Sequence, residues 1–229
     1  APGWTISKTR GVIAELVPDR ENRRFDIELR TGVSEARMRA AEKGTVQGGD
    51  LVYELDGRTY RTAIKTLRGD CRLPDGSNGN LLRRWEKADF APRPGDVFQE
   101  RLYAIQWVRK ETLDKPRQET FFAAPTEADL ERERTVERRV AENLARWQEE
   151  GLIPDMAIEP GEETSRLFRE RGWTHWHHLF NPRQLLLFAS YYEYILNRTD
   201  RSALSTVFAK ALDWSNRLTK WDSSVGSDK

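Results

Sequence analysis

All three histidines of the 229-residue chain fall in one octapeptide, Trp173-Thr174-His175-Trp176-His177-His178-Leu179-Phe180. On a helix, His175 and His178 share a face, as two ligands of one metal ion must. No third ligand is identifiable, and the single cysteine, Cys71, can supply neither paired thiolates nor an intrachain disulfide. The octapeptide is therefore read as a tight helical corner in which Trp173, Trp176 and Phe180 pack and the imidazoles lie at the rim, and no metal ligand is assigned. The second chemistry on offer is that of arginine. Arg166, Arg169, Arg171, Arg183, Arg217 and Lys220 lie near aromatic residues, Trp221 among them, and cations beside stacking surfaces suit a nucleic-acid contact. Glu162, Glu163, Glu170, Asp213 and Asp222 are interspersed, so the same stretch also describes a solvated, ion-paired surface. Arg183 and Arg217 fit either a phosphate contact or an internal brace paired with carboxylates. The chain has no Walker loop, no Gly-x-Gly-x-x-Gly after a strand, no Gly-x-Ser-x-Gly elbow and no His-Glu-x-x-His. No catalytic residue is assigned.

The elements that must position these residues divide in style near Thr126. Before it, Gly11–Val17 and Arg24–Arg30 flank Pro18-Asp19-Arg20-Glu21-Asn22 as a hairpin, with period-2 alternation on the second arm. Ser34 to Lys43 predicts a short helix stopped by Gly44. Leu51–Leu55 and Arg58–Thr62 flank Asp56-Gly57, the dipeptide of a type I′ hairpin. Gly69 to Gly95 is loop-rich, with a turn of helix expected at Leu81–Arg84. Val97 to Lys110 alternates like a strand that Thr120–Ala124 could pair. After Thr126, Val136, Val140, Leu144 and Trp147 make one apolar stripe on a long helix ending at Gly151, whose charge-dense remainder is an exposed face. A Pro-bounded linker from Gly151 to Gly161 leads to three further helices: Thr164–Arg171; Pro182–Asn197, capped by Asn181 with Pro182 at N1; and Ser202–Leu218. The expected fold is α+β, a small antiparallel sheet domain over residues 1–125 followed by a helical bundle over 126–229.

Composition narrows the classes. Hydrophobic residues make up 38% and charged residues 33%, and the mean hydropathy is −0.77, which suits a globular chain with a very polar surface. The longest apolar run, Leu185–Ala189, is far short of the ~20 residues of a membrane helix. The first residues lack the apolar stretch of a signal peptide, so a cytoplasmic protein without a membrane partner is expected. The 38 basic and 37 acidic residues nearly cancel, and bulk charge announces no nucleic-acid partner. Arginines outnumber lysines 29 to 9. Guanidinium is the better bidentate reader of phosphate, although a GC-rich genome produces the same bias.

Three stretches go further. Gly172-Trp173-Thr174 continuing to Leu179-Phe180-Asn181-Pro182-Arg183-Gln184-Leu185-Leu186, then Asn216-Arg217-Leu218-Thr219-Lys220-Trp221-Asp222, and earlier Phe98-Gln99-Glu100-Arg101-Leu102-Tyr103-Ala104-Ile105-Gln106-Trp107 together resemble the large prokaryotic adenine-specific DNA methylases that contain a zinc ribbon. In that family Gly-Thr-Val precedes Cys-Pro-x-Cys-Gly. Here Gly44-Thr45-Val46 precedes Tyr53-Glu54-Leu55-Asp56-Gly57, so Tyr53 and Asp56 stand at the cysteine positions and the resemblance implies a degenerate ribbon without metal. The family's Gly-rich S-adenosylmethionine motif and its Asp-Pro-Pro-Tyr motif are absent from these residues. The resemblance therefore implies the middle of a methylase, its target-recognition or accessory region. S-adenosylmethionine would be a cofactor of the parent enzyme but not of this region, and the partners would be double-stranded DNA and the rest of the methylase chain. Arg183, Gln184, Arg217, Lys220 and Trp221 are the DNA-contacting residues it suggests. Two other functions compete: a protein-interaction module docking a phage-defence or restriction-modification partner, and a small-molecule enzyme built around the histidines.

Overall fold

The computed structural model describes residues 3–219 and Ser223. The fold is α+β: small antiparallel sheets and, among the described residues, six α-helices. Two compact units are distinguishable among the described residues, one comprising residues 3–67, 101–126 and Ser223, the other residues 68–100 and 127–219.

In the first unit β1 (Gly3–Ser7), β2 (Val12–Asp19) and β3 (Arg24–Arg30) form a meander. β2 is buried on both faces because each has a cover. Val12 and Ala14 pack with Ile6, Trp4, Ile27, Leu29, Tyr103 and Phe122, while Ile13 packs on Met38 and Ala41 of α1 (Glu35–Ala41). Glu15 is on the α1 side and is held by Arg30 and Arg37. Burial opposes its ionisation, but the two guanidiniums prevail and keep its carboxyl below the ordinary range. A second sheet orders β4 (Val46–Gln47), β5 (Asp50–Leu55) and β6 (Arg58–Ala63). Leu55 pairs with Arg58 across Asp56-Gly57, which have φ of 53° and 72°. Both values are those a type I′ turn needs, as the dipeptide predicts. After α2 (Ile64–Arg68) and the short paired strands β7 (Cys71–Arg72) and β8 (Asn78–Gly79), the chain returns to the first unit with β9 (Ile105–Val108) and β10 (Thr120–Ala123), which pair antiparallel. The strand expected from Val97 onward is confined to β9; Val97 to Glu100 belong to the other unit, where Phe98 and Glu100 have side-chain partners.

In the second unit α3 (Glu127–Glu149) presents Val140, Leu144 and Trp147 to α5 (Pro182–Leu196), which also packs on α6 (Arg201–Trp214). Leu185, Phe188, Ala189, Ile195 and Phe208 fill the shared core. α4 (Thr164–Arg171) precedes the histidine segment. α6 ends at Trp214, short of the expected Leu218, and Ser215–Thr219 turns back so that the Arg217 N–H donates to the Leu179 carbonyl at 2.7 Å. One junction between the units falls between Thr126 and Glu127, and residues 68–100 cluster with the helices of the second unit. Among the described residues no helix is long and apolar enough to cross a membrane.

Candidate functional site

The site is built where α4 stops. Gly172 adopts φ 77°, and a Cβ there would lie 2.2 Å from the Arg83 carbonyl oxygen, so this position needs glycine for its conformation and for its clearance. The close approach lets the Trp85 N–H donate to the Gly172 carbonyl at 2.8 Å. The segment from Leu82 to Phe90 is thereby fastened along residues 172–178. Thr174 Oγ1 donates to the Trp85 carbonyl at 2.5 Å, and Trp85 and Trp173 meet edge to face at 6.3 Å between centroids.

Arg217 enters this seam and is used up there. Its guanidinium lies over Trp85 and Trp173, 5.3 and 5.9 Å from the ring centroids. Nε and Nη2 donate to the Glu100 carboxylate at 2.6 and 3.0 Å, Nη1 to the His178 carbonyl at 2.6 Å, and Nη2 also to the Phe90 carbonyl at 3.0 Å. With its side chain only 6% exposed, Arg217 is an internal brace. A DNA phosphate would have to displace these acceptors, so the geometry favours the brace over the phosphate contact at this residue. Beside it Arg83 grips Asp96 with two bonds of 2.7 Å and Asp89 with one of 2.5 Å, while Arg93 reaches Asp89 at 2.8 Å and Glu86 at 3.0 Å. Burial opposes the ionisation of Asp89, yet Arg83, the Glu86 N–H and Arg93 hold its carboxyl below the usual range; Asp96 is lowered chiefly by Arg83.

Two of the three histidines are locked into the fold. His177 and His178 are fully buried. Nδ1 of His178 accepts from the Thr174 and His175 N–H groups at 3.1 and 3.3 Å, so its proton is on Nε2, which donates to the Glu86 carbonyl at 3.1 Å. Nε2 of His177 faces the Asp89 carbonyl at 3.2 Å, and Nδ1 faces the Gln148 amide nitrogen at 3.3 Å, which assigns the same neutral tautomer. Burial pushes His177 down to about 4, and burial together with the neighbouring imidazoles pushes His178 down to about 3. Among the described residues no group of three or more histidine, cysteine, aspartate or glutamate side chains is arranged to hold a metal. The rim position expected for the imidazoles applies to none but His175, which is partly exposed.

The other DNA-contact candidates separate. Arg183 is exposed in the first turn of α5 and pairs with Glu133 of α3. Gln184 closes the capping box of that helix, its Oε1 accepting from the Asn181 N–H at 2.9 Å. Lys220 and Trp221 lie outside the described residues. Trp85 and Arg83 were missed in the sequence, where the one signal was a basic-aromatic run, Arg83-Arg84-Trp85, inside an otherwise polar, turn-rich segment.

At the ribbon-like positions Tyr53 stacks on its cross-strand partner Tyr60, with centroids 5.1 Å apart, and meets the edge of Phe25 at 5.5 Å. Asp56 pairs with Arg20. A phenol engaged in stacking and a carboxylate engaged with arginine do not fit the thiolate set of a structural zinc. Compared with models of protein families, with curated proteins and with solved structures, the chain has no match.

Proposed function

We propose that the chain is a target-recognition or accessory region of an adenine-specific DNA methyltransferase, a cytoplasmic module that holds duplex DNA and carries no methyl-transfer chemistry by itself. The observation that supports this most directly is the convergence at Arg217. The three stretches on which the resemblance rests are far apart in sequence, yet Glu100 comes from one, Trp173 and the His178 and Leu179 carbonyls from another, and Arg217 from the third. A resemblance scattered over unrelated surface loops would have no reason to share a packing centre. On this reading β4–β6 is a zinc ribbon whose metal has been replaced by the Tyr53–Tyr60–Phe25 packing, and α3–α6 form a helical bundle. S-adenosylmethionine would bind elsewhere in the parent chain: the strand pairings among the described residues are all antiparallel, whereas doubly wound folds bind cofactors at the ends of parallel strands.

Arg183 is the DNA contact that remains accessible, with Lys220 and Trp221 retained from the sequence. The test is duplex binding by fluorescence anisotropy across a salt series. Arg183→Ala should weaken binding and lower the salt slope by about one. It should change folding stability by less than ~1 kcal/mol, since its partner pair is exposed. Unchanged affinity would remove Arg183 from the interface, and no duplex binding by the intact chain would overturn the reading.

A protein-interaction role is favoured by a different observation: Leu187, Tyr194, Val207 and Trp214 on α5 and α6 are each more than half exposed. Large exposed apolar residues of this kind mark contact surfaces when they are contiguous. A binding partner from a defence system, captured in place of DNA, would support that alternative.

A further inference from the structure

α5 and α6 carry little charge. Pro182–Trp214 has seven charged residues in 33, whereas α3 has twelve in 23. A helix that covers a core on one side and meets water on the other needs a polar outer face, and α3 has one. The outer face of α5 and α6 is apolar instead. Leu187, Tyr191 and Tyr194 recur at i, i+4 and i+7 on the side of α5 opposite the fully buried Leu185 and Ala189. On α6, Val207 and Trp214 share a face turned away from Leu204, Phe208 and Leu212, which pack into the core. The five outer side chains are between 38% and 67% exposed.

These two stripes make one surface. Residues 197–200 join the helices, and Phe208 in the middle of α6 meets Phe188, Tyr191 and Tyr192 in the middle of α5, with centroids 5.5–5.6 Å apart. The pair is therefore an antiparallel hairpin, and in that arrangement the helical period turns both stripes to the side away from α3. The charges within the surface are already matched. Arg198 lies over the Tyr194 ring at 5.5 Å and reaches Asp200 at 3.4 Å, while Lys210 lies over Trp214 at 5.4 Å and reaches Asp213 at 3.4 Å. The surface thus has no surplus charge with which to attract a polyanion, an anionic membrane or a strongly charged peptide.

We propose that this surface pairs with itself, joining two copies of the chain through their α5–α6 hairpins. A two-fold interface presents the same patch from both sides, so the patch must tolerate its own copy. This one sets apolar side chains against apolar side chains and brings no net charge against like charge. Two antiparallel hairpins face to face also close the four-helix layer that one hairpin leaves open. The five side chains contribute on the order of 500 Å² per copy, since a wholly covered aromatic side chain buries ~150–250 Å². Ser190, Ala203 and Ala211 beside them are exposed as well, which brings the area toward the ~800 Å² per partner of a standard interface. The assignment does not rest on the DNA reading, and it puts a second copy where the alternative above puts a foreign protein.

Sedimentation velocity of the intact chain over a concentration series is the test. The wild type should be dimeric at micromolar concentration. Val207→Glu and Tyr194→Glu each place an unpaired carboxylate on the surface and should raise the dimer dissociation constant at least about tenfold. Leu113→Glu, in the other unit, should leave it unchanged. All three positions are more than half exposed, so circular dichroism should show the fold retained in each variant. A wild type that stays monomeric up to about 100 μM overturns the proposal and leaves the surface to a foreign protein or to another part of a longer chain. A dimer undisturbed by both substitutions overturns it too. Duplex binding measured on the same samples separates the two readings: a monomer that binds duplex defeats the dimer alone, and a dimer that ignores duplex defeats the DNA reading alone.

Discussion

Acidification should destabilise the helical unit before its carboxylates titrate, because two buried imidazoles cannot accept a proton in place. His178 Nδ1 is met by two backbone N–H donors and His177 Nδ1 by the Gln148 amide. A proton on either Nδ1 would set donor against donor. In the unfolded chain both rings titrate near 6.5, whereas in the fold burial holds them at about 4 and about 3. Both folded values lie below the unfolded one, so stability is complete above pH 6.5 and declines as the pH falls from there toward 4 and 3, the unfolded chain taking up protons that the native one refuses. At pH 5 each unfolded imidazole is mostly charged and each folded one neutral, which at ~1.4 kcal/mol per pH unit costs about 2 kcal/mol per ring relative to pH 8. The pair therefore removes about 4 kcal/mol from a stability of ~5–15 kcal/mol. His175, lowered by burial and by Lys87, adds in the same direction. Asp89 and Asp96 are lowered below the ordinary aspartate value, so their stabilisation is lost only as the pH falls through still lower values and contributes no slope between pH 7.5 and 5. Urea unfolding at those two pH values measures the difference, and NMR titration of the three imidazoles assigns it. Equal stability at both, or His177 and His178 titrating near 6.5, would refute the neutral-pair account.

Arg217→Ala removes one partner of a largely buried ion pair and leaves the Phe90 and His178 carbonyls without their donor, so urea unfolding should register a loss of about 3 kcal/mol, the low end of the range for such breaks because Glu100 stays partly solvated. Arg217→Lys should recover little, since a point ammonium cannot reach four acceptor atoms or stack on two indoles; a loss under ~0.5 kcal/mol in both variants would remove the brace. Elemental analysis of protein purified without added metal should find well under one zinc per chain, and zinc that stays stoichiometric through dialysis would contradict the stacking account of Tyr53.

Local features were legible in the sequence because their causes are local. The type I′ turn follows from Asp56-Gly57, the start of α5 from Asn181-Pro182 with Gln184 three residues on, and the buried stripe of α3 from the spacing of Val140, Leu144 and Trp147. Each depends on backbone conformations or side-chain periods fixed within a few residues. The roles of the charged and aromatic residues were not legible, because they depend on partners distant in the chain. Arg183 and Arg217 look alike in sequence. One is exposed beside Glu133, and the other is buried between Trp85 and Trp173, 132 and 44 residues away, because Ser215–Thr219 leaves the helical path and turns back to Leu179. The segment Gly69 to Gly95 reads as loop-rich from its turn residues, yet its irregular backbone is held by Gly172, Thr174 and the two buried histidines. Only the tertiary structure decides that, since a carbonyl such as that of Glu86 or Asp89 gains a specific donor only once another segment has been brought against it.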